Sequence, residues 1–151
     1  MNGQTDIYTN LLLKLSKKAL ALGELPISAI IVDPVNKKVI SACINQTKKN
    51  PILHAEINAI LKALKLTNSK RLDKFDLYCS LEPCAMCASA ISLSRVRRVY
   101  FCLEDKKSGG FINGPKLIYS SNLHHKPKFY YGFKENIFLN LMKDFFKKKR
   151  N

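Results

Sequence analysis

The sequence predicts an α/β fold, in which helices pack on a central layered sheet. Apolar, strand-like segments alternate along the chain with segments of helical periodicity, and turn residues separate them. Hydrophobic residues make up 46% of the 151 positions, a fraction typical of a globular protein. A chain of this length is expected to form one domain over residues 1–151.

The first predicted element is an amphipathic helix over residues 6–22, which Gly23 ends. Its apolar positions are Ile7, Leu11, Leu15 and Leu22. A hairpin is predicted next, because residues 33–36 are rich in turn formers and join two strand-like runs. The predicted strands span residues 27–32, 38–44, 75–80, 98–103 and 129–131. Further helices are predicted over residues 54–66, 84–94 and 135–149.

The apolar faces of two later helices are also predicted from their spacing. In the helix over residues 54–66 the predicted apolar residues are Ile57, Ile60, Leu61 and Leu64. In the last helix the predicted apolar residues are Ile137, Phe138, Leu141, Met142, Phe145 and Phe146. Both of the helices that begin at residues 54 and 84 are expected to start at the carboxyl edge of the sheet, where sites form in α/β proteins.

Two short motifs carry the chemistry. His54-Ala55-Glu56 is followed, less than thirty residues later, by Pro83-Cys84-Ala85-Met86-Cys87. Cys84 and Cys87 stand at i and i+3 just after a proline, so they are expected on one face of a first helical turn. The positive end of the helix dipole favours thiolates there.

His54, Cys84 and Cys87 would give zinc three protein ligands and leave the fourth position for water. This is the coordination of a catalytic zinc, whereas a structural zinc is closed by four protein ligands. Glu56 would then be free to take a proton from the water and pass it to a leaving amine. A structural Cys-x-x-Cys or a redox dithiol is the alternative, but the order and spacing match the H-x-E…P-C-x-x-C signature of zinc deaminases.

The run from Ser80 to Ala90 resembles the bacterial tRNA-specific adenosine deaminases, which convert the wobble adenosine of an arginine tRNA to inosine. The resemblance extends to residues 25–29, to Asn45 and to residues 144–146. It implies a three-layer α/β/α, cytidine-deaminase-like fold with a mixed sheet of about five strands. It also implies one Zn²⁺ per subunit, a homodimer, and deamination at C6 of an adenine in an anticodon loop. Three residues depart from the family pattern: Ser28 and Ser89 in place of Gly, and His124 in place of Asn.

The chain has 26 Lys and Arg against 11 Asp and Glu, a formal net charge of +15. Such an excess favours a polyanionic partner, here tRNA, with phosphate contacts from Lys-rich loops and from the basic tail at residues 147–150. One of the two adjacent phenylalanines near the C-terminus is expected to be core, while the other could stack on a base. The candidate substrate contacts are Asn45, Asp105, Lys106, Lys107, His125, Phe145 and Phe146.

Two other functions stay open at this point. One is deamination of a free base or nucleotide, such as guanine, cytidine or deoxycytidylate, with the same zinc chemistry. The other is a non-catalytic RNA-binding subunit whose zinc is structural and is closed by a fourth ligand such as His124 or His125. Without a membrane-length apolar run or a signal peptide, the chain is expected in the cytoplasm. Cys43, Cys79 and Cys102 are expected to be buried free thiols.

Overall fold

A computed structural model describes residues 2–150. Over this range the chain forms helices and strands in the predicted alternation, with a short 3-10 turn at Leu117–Tyr119. The helices are α1 (Gly3–Ala21), α2 (Ala55–Thr67), α3 (Ala85–Leu93) and α4 (Glu135–Arg150). The strands are β1 (Ser28–Asp33), β2 (Lys38–Ile44), β3 (Asp76–Leu81), β4 (Arg98–Leu103) and β5 (Lys128–Tyr131). None of the helices described is both long enough and apolar enough to cross a bilayer.

The strands form one mixed sheet in the order β2-β1-β3-β4-β5. β1 runs antiparallel to both β2 and β3, while β3, β4 and β5 are parallel. The carboxyl ends of the parallel strands therefore meet the amino end of β1 at one edge of the sheet. The segments that carry the two motifs lie at this edge.

Helices cover both faces of the sheet and enclose two cores. On one face, α2 and α3 pack over buried residues that include Ala59, Leu77, Ile91 and Phe101. On the other face, α1 and α4 pack over a second cluster that contains Tyr8, Leu12, Ile30, Tyr78 and Phe138. The layers are thus α/β/α, and the mixed five-stranded sheet that we expected is confirmed.

The predicted apolar face of α1 is half right: Leu11 and Leu15 are partly buried and pack against the second core cluster, but Ile7 and Leu22 do not. Ile7 and Leu22 are 57% and 58% exposed, whereas Tyr8, Leu12 and Ala19 are buried. Polar residues share the buried face: Thr9 Oγ1 donates to the carbonyl of Thr5 within the helix, and Ser16 bonds to β1. Since hydrogen bonding makes buried Ser and Thr tolerable, a pattern based on hydrophobicity alone misplaces the centre of the buried face.

The predicted apolar faces of α2 and α4 are also partly wrong. In α2 the buried residues are mainly Ala55, Ala59, Ile60 and Ala63, while Leu61 is 57% exposed. In α4 the buried residues are Phe138, Leu141 and Phe145, and Ile137 is 44% exposed. Small residues of α2 let the helix approach the sheet closely, so the larger leucine is left on its outer side.

Ser28, one of the departures from the family pattern, joins the sheet to α1. Its hydroxyl lies 2.8 Å from the Leu12 carbonyl and 2.8 Å from Ser16 Oγ, and its amide donates to Ser80 Oγ at 3.0 Å. The residue is fully buried. Ser89, another departure, lies exposed on α3 and bonds only to the carbonyl of Ala85 in the preceding turn. The two serines therefore differ sharply in what their hydroxyl groups stabilise.

Replacing Ser28 by Ala should lower the free energy of unfolding by about 1–3 kcal/mol, because the change leaves buried polar partners unpaired. Urea denaturation of the purified variant measures the effect. Ser89→Ala makes the same chemical change at an exposed site and should shift the free energy of unfolding by less than about 0.5 kcal/mol. Equal stabilities for the two variants would contradict this role of Ser28.

Candidate active site

The two motifs meet at helix N-termini. His54 is the N-cap residue of α2, and Cys84 is the N-cap residue of α3, each with an extended backbone conformation. Pro83 directly precedes Cys84 and connects β3 to α3. Cys87 lies in the first turn of α3, so both sulfurs face the same side, as the spacing predicted. The helices themselves start one residue later than predicted, at Ala55 and Ala85.

His54, Cys84 and Cys87 form a compact set of donors. His54 Nδ1 lies 3.6 Å from Cys84 Sγ and 3.6 Å from Cys87 Sγ, and all three ligand atoms lie within 4.8 Å of one another. A tetrahedral zinc with ordinary bond lengths places a nitrogen and a sulfur ligand about 3.6 Å apart. The three side chains therefore fit zinc in both chemistry and separation.

The charges of this cluster are coupled. A hydrogen bond from Cys87 lowers the pKa of the Cys84 thiol to about 4, so Cys84 is a thiolate at neutral pH. The same hydrogen bond raises the pKa of Cys87, which burial raises further. The hydrogen bond to Cys84 also raises the pKa of His54. The protonation of these three groups is therefore linked, and metal binding, which requires thiolates and a neutral imidazole, would release any protons they carry.

Glu56 lies beside the donors in the first turn of α2. It is only 3% exposed, and its Oε2 lies 3.3 Å from Cys87 Sγ. Burial raises the pKa of this carboxyl. A carboxyl group whose pKa moves toward neutrality is suited to accept and return a proton during a reaction.

A cavity of about 290 Å³ opens onto this cluster. His54, Glu56 and Cys84 are among the residues that line it. The other lining residues come from four places: the segment around the start of β1, the end of β3, the loop after β4, and α4. They are Leu25, Ile27, Leu81, Glu82, Asp105, Lys107, Ser108, Met142 and Phe146. A cavity with one apolar wall and a few polar groups suits a planar base.

Several predicted substrate contacts lie at this cavity. Asp105 and Lys107 line it directly, and Lys106 is an exposed neighbour in the same loop. The two phenylalanines of α4 are now distinguished: Phe145 is 8% exposed and belongs to the core, whereas Phe146 is 46% exposed and lines the cavity. Phe146 is therefore the one available to stack on a base.

Asn45 is buried next to the cavity wall. Its amide nitrogen Nδ2 donates to Thr47 Oγ1, and its backbone amide donates to the carbonyl of Ile27, which lines the cavity. The side-chain oxygen Oδ1 is buried without a hydrogen-bond partner among the residues described. A buried acceptor of this kind calls for a donor, which residues 2–150 do not provide.

His125 lies apart from the residues that line the cavity. Its backbone amide donates to Ser92 Oγ, and its ring nitrogen Nε2 contacts the carbonyl of Val96 at 2.5 Å. These bonds attach the segment before β5 to the end of α3. A substrate contact from His125 stays a prediction. The metal-ligating group found among residues 2–150 consists of His54, Cys84 and Cys87, so neither His124 nor His125 belongs to it.

Glu82 is the residue that the motif analysis did not single out. It directly precedes Pro83, lines the cavity and is 3% exposed, and its carboxylate accepts hydrogen bonds from the loop after β4. The only signal in the sequence is a charged residue that ends a strongly apolar strand. Its bonding partners lie 23 to 31 positions further along the chain, beyond the reach of a local pattern.

The α/β/α fold and the open three-ligand set define a zinc-dependent hydrolytic enzyme. A family model, described as the cytidine and deoxycytidylate deaminase zinc-binding region, matches residues 3–103. A tRNA-specific adenosine deaminase of Rickettsia bellii is 43% identical over 142 residues, which cover 92% of this chain and 97% of that protein. One from Aquifex aeolicus is 38% identical over 149 residues, covering 97% and 96% of the two chains.

A solved structure, reported for A-to-I editing by deaminases at the wobble position of transfer RNA, gives a TM-score of 0.85 at 34% identity. The match covers 90% of this chain and 99% of that one. This chain belongs to the tRNA-specific adenosine deaminases of the cytidine and deoxycytidylate deaminase superfamily. Zinc is accordingly its cofactor, and the expected cytidine-deaminase-like fold is confirmed.

Proposed function

We propose that this chain hydrolyses adenosine to inosine at the wobble position of a tRNA anticodon loop, with an arginine tRNA as substrate. The observation that carries the proposal is the set of three zinc ligands beside the buried carboxylate of Glu56, at a cavity of about 290 Å³. The tRNA-specific relatives, which align over nearly the whole chain, support the choice of substrate.

The reaction replaces the amino group at C6 of adenine by the oxygen of water and releases ammonia. His54, Cys84 and Cys87 would hold the zinc, which when bound acts as a Lewis acid and lowers the pKa of water to about 7. Glu56 accepts a proton from the attacking water and donates it to the departing amine. Because the carboxyl is shielded from solvent, the proton is transferred rather than lost to bulk water.

The cavity walls would fix the base. Ile27 and Leu25 offer an apolar surface. Asn45 is bonded through its backbone amide to the Ile27 carbonyl, and its buried Oδ1, which has no partner among the described residues, would accept a purine N–H once the wall admits the base. The reacting groups lie in a cavity beside the buried Glu56, so the base must leave its stack to reach them. A single-stranded anticodon loop lowers the cost of unstacking, which amounts to a few kcal/mol in a duplex.

The charge distribution supports a polyanionic substrate. Only three ion pairs form among the described residues, and they involve Arg71, Arg97 and Lys134. Most of the 26 basic residues are therefore free to interact with phosphates. Lys106, Lys107 and the basic end of α4 lie near the cavity mouth and are the proposed contacts to the anticodon loop.

We further propose that the protein forms a homodimer and acts in the cytoplasm. On the layer formed by α2 and α3, Leu61, Leu66 and Leu93 are 57%, 60% and 79% exposed, which supports a second copy packing against this face. Sedimentation equilibrium tests it: a monomer at micromolar concentrations would rule out the dimer. The cytoplasmic location is inferred from the proposed substrate, since tRNA is modified there.

Phe146→Ala should raise KM for an anticodon stem-loop about tenfold, because stacking of an aromatic side chain on a base contributes about 1–3 kcal/mol. Steady-state kinetics of inosine formation measure the change. The matched control is Ile137→Ala on the same helix, where a side chain of similar exposure, 44% against 46%, lies outside the cavity. Equal KM values for the two variants would exclude stacking by Phe146.

A substrate panel tests the proposed function. An arginine tRNA anticodon stem-loop, guanine, cytidine and deoxycytidylate are incubated with the zinc-loaded protein, and deamination is followed by mass spectrometry. The stem-loop should be the preferred substrate, and its KM should rise roughly tenfold or more when salt is raised from about 50 to about 200 mM. Efficient, salt-insensitive turnover of guanine or a cytidine compound, without inosine in the stem-loop, would replace this function by deamination of a free base or nucleotide.

A further inference from the structure

The loop between β4 and the 3-10 turn, residues 104–116, forms one wall of the cavity although it has neither helix nor strand of its own. Asp105, Lys107 and Ser108 from this loop line the cavity. Asp105 Oδ1 accepts hydrogen bonds from the backbone amides of Lys107 and Ser108, which fixes the tip locally. The position of the tip relative to the zinc ligands requires a longer-range connection.

Glu82 makes that connection. Its Oε1 accepts a hydrogen bond from the Asp105 amide at 3.1 Å and another from Asn113 Nδ2 at 2.6 Å. Its Oε2 accepts three more, from the backbone amides of Phe111, Ile112 and Asn113 at 3.2, 3.0 and 3.0 Å. One buried carboxylate thus binds both ends of the loop, and it is separated from Cys84 by Pro83 alone.

Two glycines make this close approach possible. A Cβ atom on Gly109 would lie 2.5 Å from Glu82 Oε2 and would also collide with the carbonyl of Asp105. A Cβ on Gly110 would collide with the backbone of Ala85 at the start of α3. The Gly110 amide also donates to the Pro83 carbonyl at 3.0 Å. The loop is therefore packed directly onto the segment that carries Cys84.

We propose that Glu82 is a positioning residue, which fixes the wall formed by Asp105, Lys107 and Ser108 relative to the zinc ligands and so sets substrate affinity. The inference rests on the proposed function for its kinetic consequence. Glu82 acts through the loop and not on the reacting atoms. A carboxylate suits this role because both of its oxygens accept hydrogen bonds and donate none, and five donors converge on them.

Glu82→Gln tests the proposal with little change in shape. The amide nitrogen of the glutamine replaces either Oε1, which accepts two hydrogen bonds, or Oε2, which accepts three. In both cases N–H groups then face N–H groups, so the loop loses at least two hydrogen bonds. The matched control is Glu104→Gln. Glu104 is a neighbouring carboxylate that accepts one hydrogen bond, from Asn113 Nδ2 at 3.0 Å, and the oxygen of a glutamine could still accept it.

Hydrogen exchange, zinc content and kinetics are measured on the zinc-loaded proteins. In Glu82→Gln, the amides of Asp105, Phe111, Ile112 and Asn113 should exchange at least about tenfold faster than in wild type. KM for the anticodon stem-loop should rise about tenfold or more, with zinc content unchanged and a smaller loss in kcat. The control should match wild type in each respect. A merely structural role would instead reduce the active fraction and hence kcat, with KM unchanged.

Unchanged exchange and unchanged KM in Glu82→Gln would overturn the proposal, as would a loss confined to kcat. If the variant fails to fold, Gly109→Ala disturbs the same contact from the loop side and should show the same rise in exchange and in KM; wild-type behaviour there would also overturn it. Failure of the proposed function is distinguishable, because wild type would then form no inosine while the exchange comparison would still report whether Glu82 holds the loop.

Discussion

Replacing Glu56 by Gln is expected to lower kcat for inosine formation by roughly a hundredfold to ten-thousandfold, the range that general acid–base groups contribute. Glutamine keeps the shape of the side chain but accepts no proton from water and donates none to the departing amine. Glu56 is buried beside Cys87 and is not one of the three ligands, so zinc should stay bound.

Single-turnover assays with saturating enzyme separate the chemical step from binding and product release in this comparison. Zinc content is determined on the same protein preparation by atomic emission. Binding of the stem-loop should change little, because the carboxylate acts on the reacting atoms. Wild-type rates in the variant would show that another group transfers the proton and would refute the mechanism.

The second large effect concerns the metal. Cys84→Ala removes one of three ligands and should lower zinc affinity by at least about a hundredfold, which exceeds the usual effect of losing an outer-shell partner. Activity should be lost together with zinc. The melting temperature should also fall, since a ligand that binds the folded state alone stabilises it. Zinc content after dialysis and thermal unfolding measure these outcomes.

Cys43→Ala provides the control for this change. Cys43 is a half-buried free thiol on β2, outside the metal-ligating group. Its replacement should leave one zinc per chain and normal turnover. A Cys84→Ala protein that kept a full equivalent of zinc would contradict the ligand assignment.

The sequence predicts the site better than it predicts the packing. His54, Glu56, Cys84 and Cys87 lie within local motifs, and their spacing requires only that each motif begins a helix. The structure fulfils this condition, because His54 and Cys84 are N-cap residues. The strands and the layered α/β class were also predictable, because apolar runs and turn residues alternate along the chain, whereas the mixed sheet was implied by the resemblance to the deaminases.

Features that depend on distant partners were not predictable. The periodicity of α4 includes both Phe145 and Phe146, and only the position of the sheet determines which of them is buried. On α1, buried Thr9 and Ser16 look like surface residues until the hydrogen bond of Ser16 to Ser28 is known. The five hydrogen bonds of Glu82 depend on a loop more than twenty positions away along the chain. Long-range hydrogen bonds leave no local pattern.

The most direct test of the central claim is deamination of the arginine tRNA anticodon stem-loop in water labelled with heavy oxygen. The zinc-loaded protein should convert the wobble adenosine to inosine that carries one labelled oxygen at C6, with release of one ammonia per inosine formed. The Glu56→Gln protein should form almost none in the same period. A stem-loop that stays unmodified under conditions where zinc is bound and the protein is folded would contradict the account.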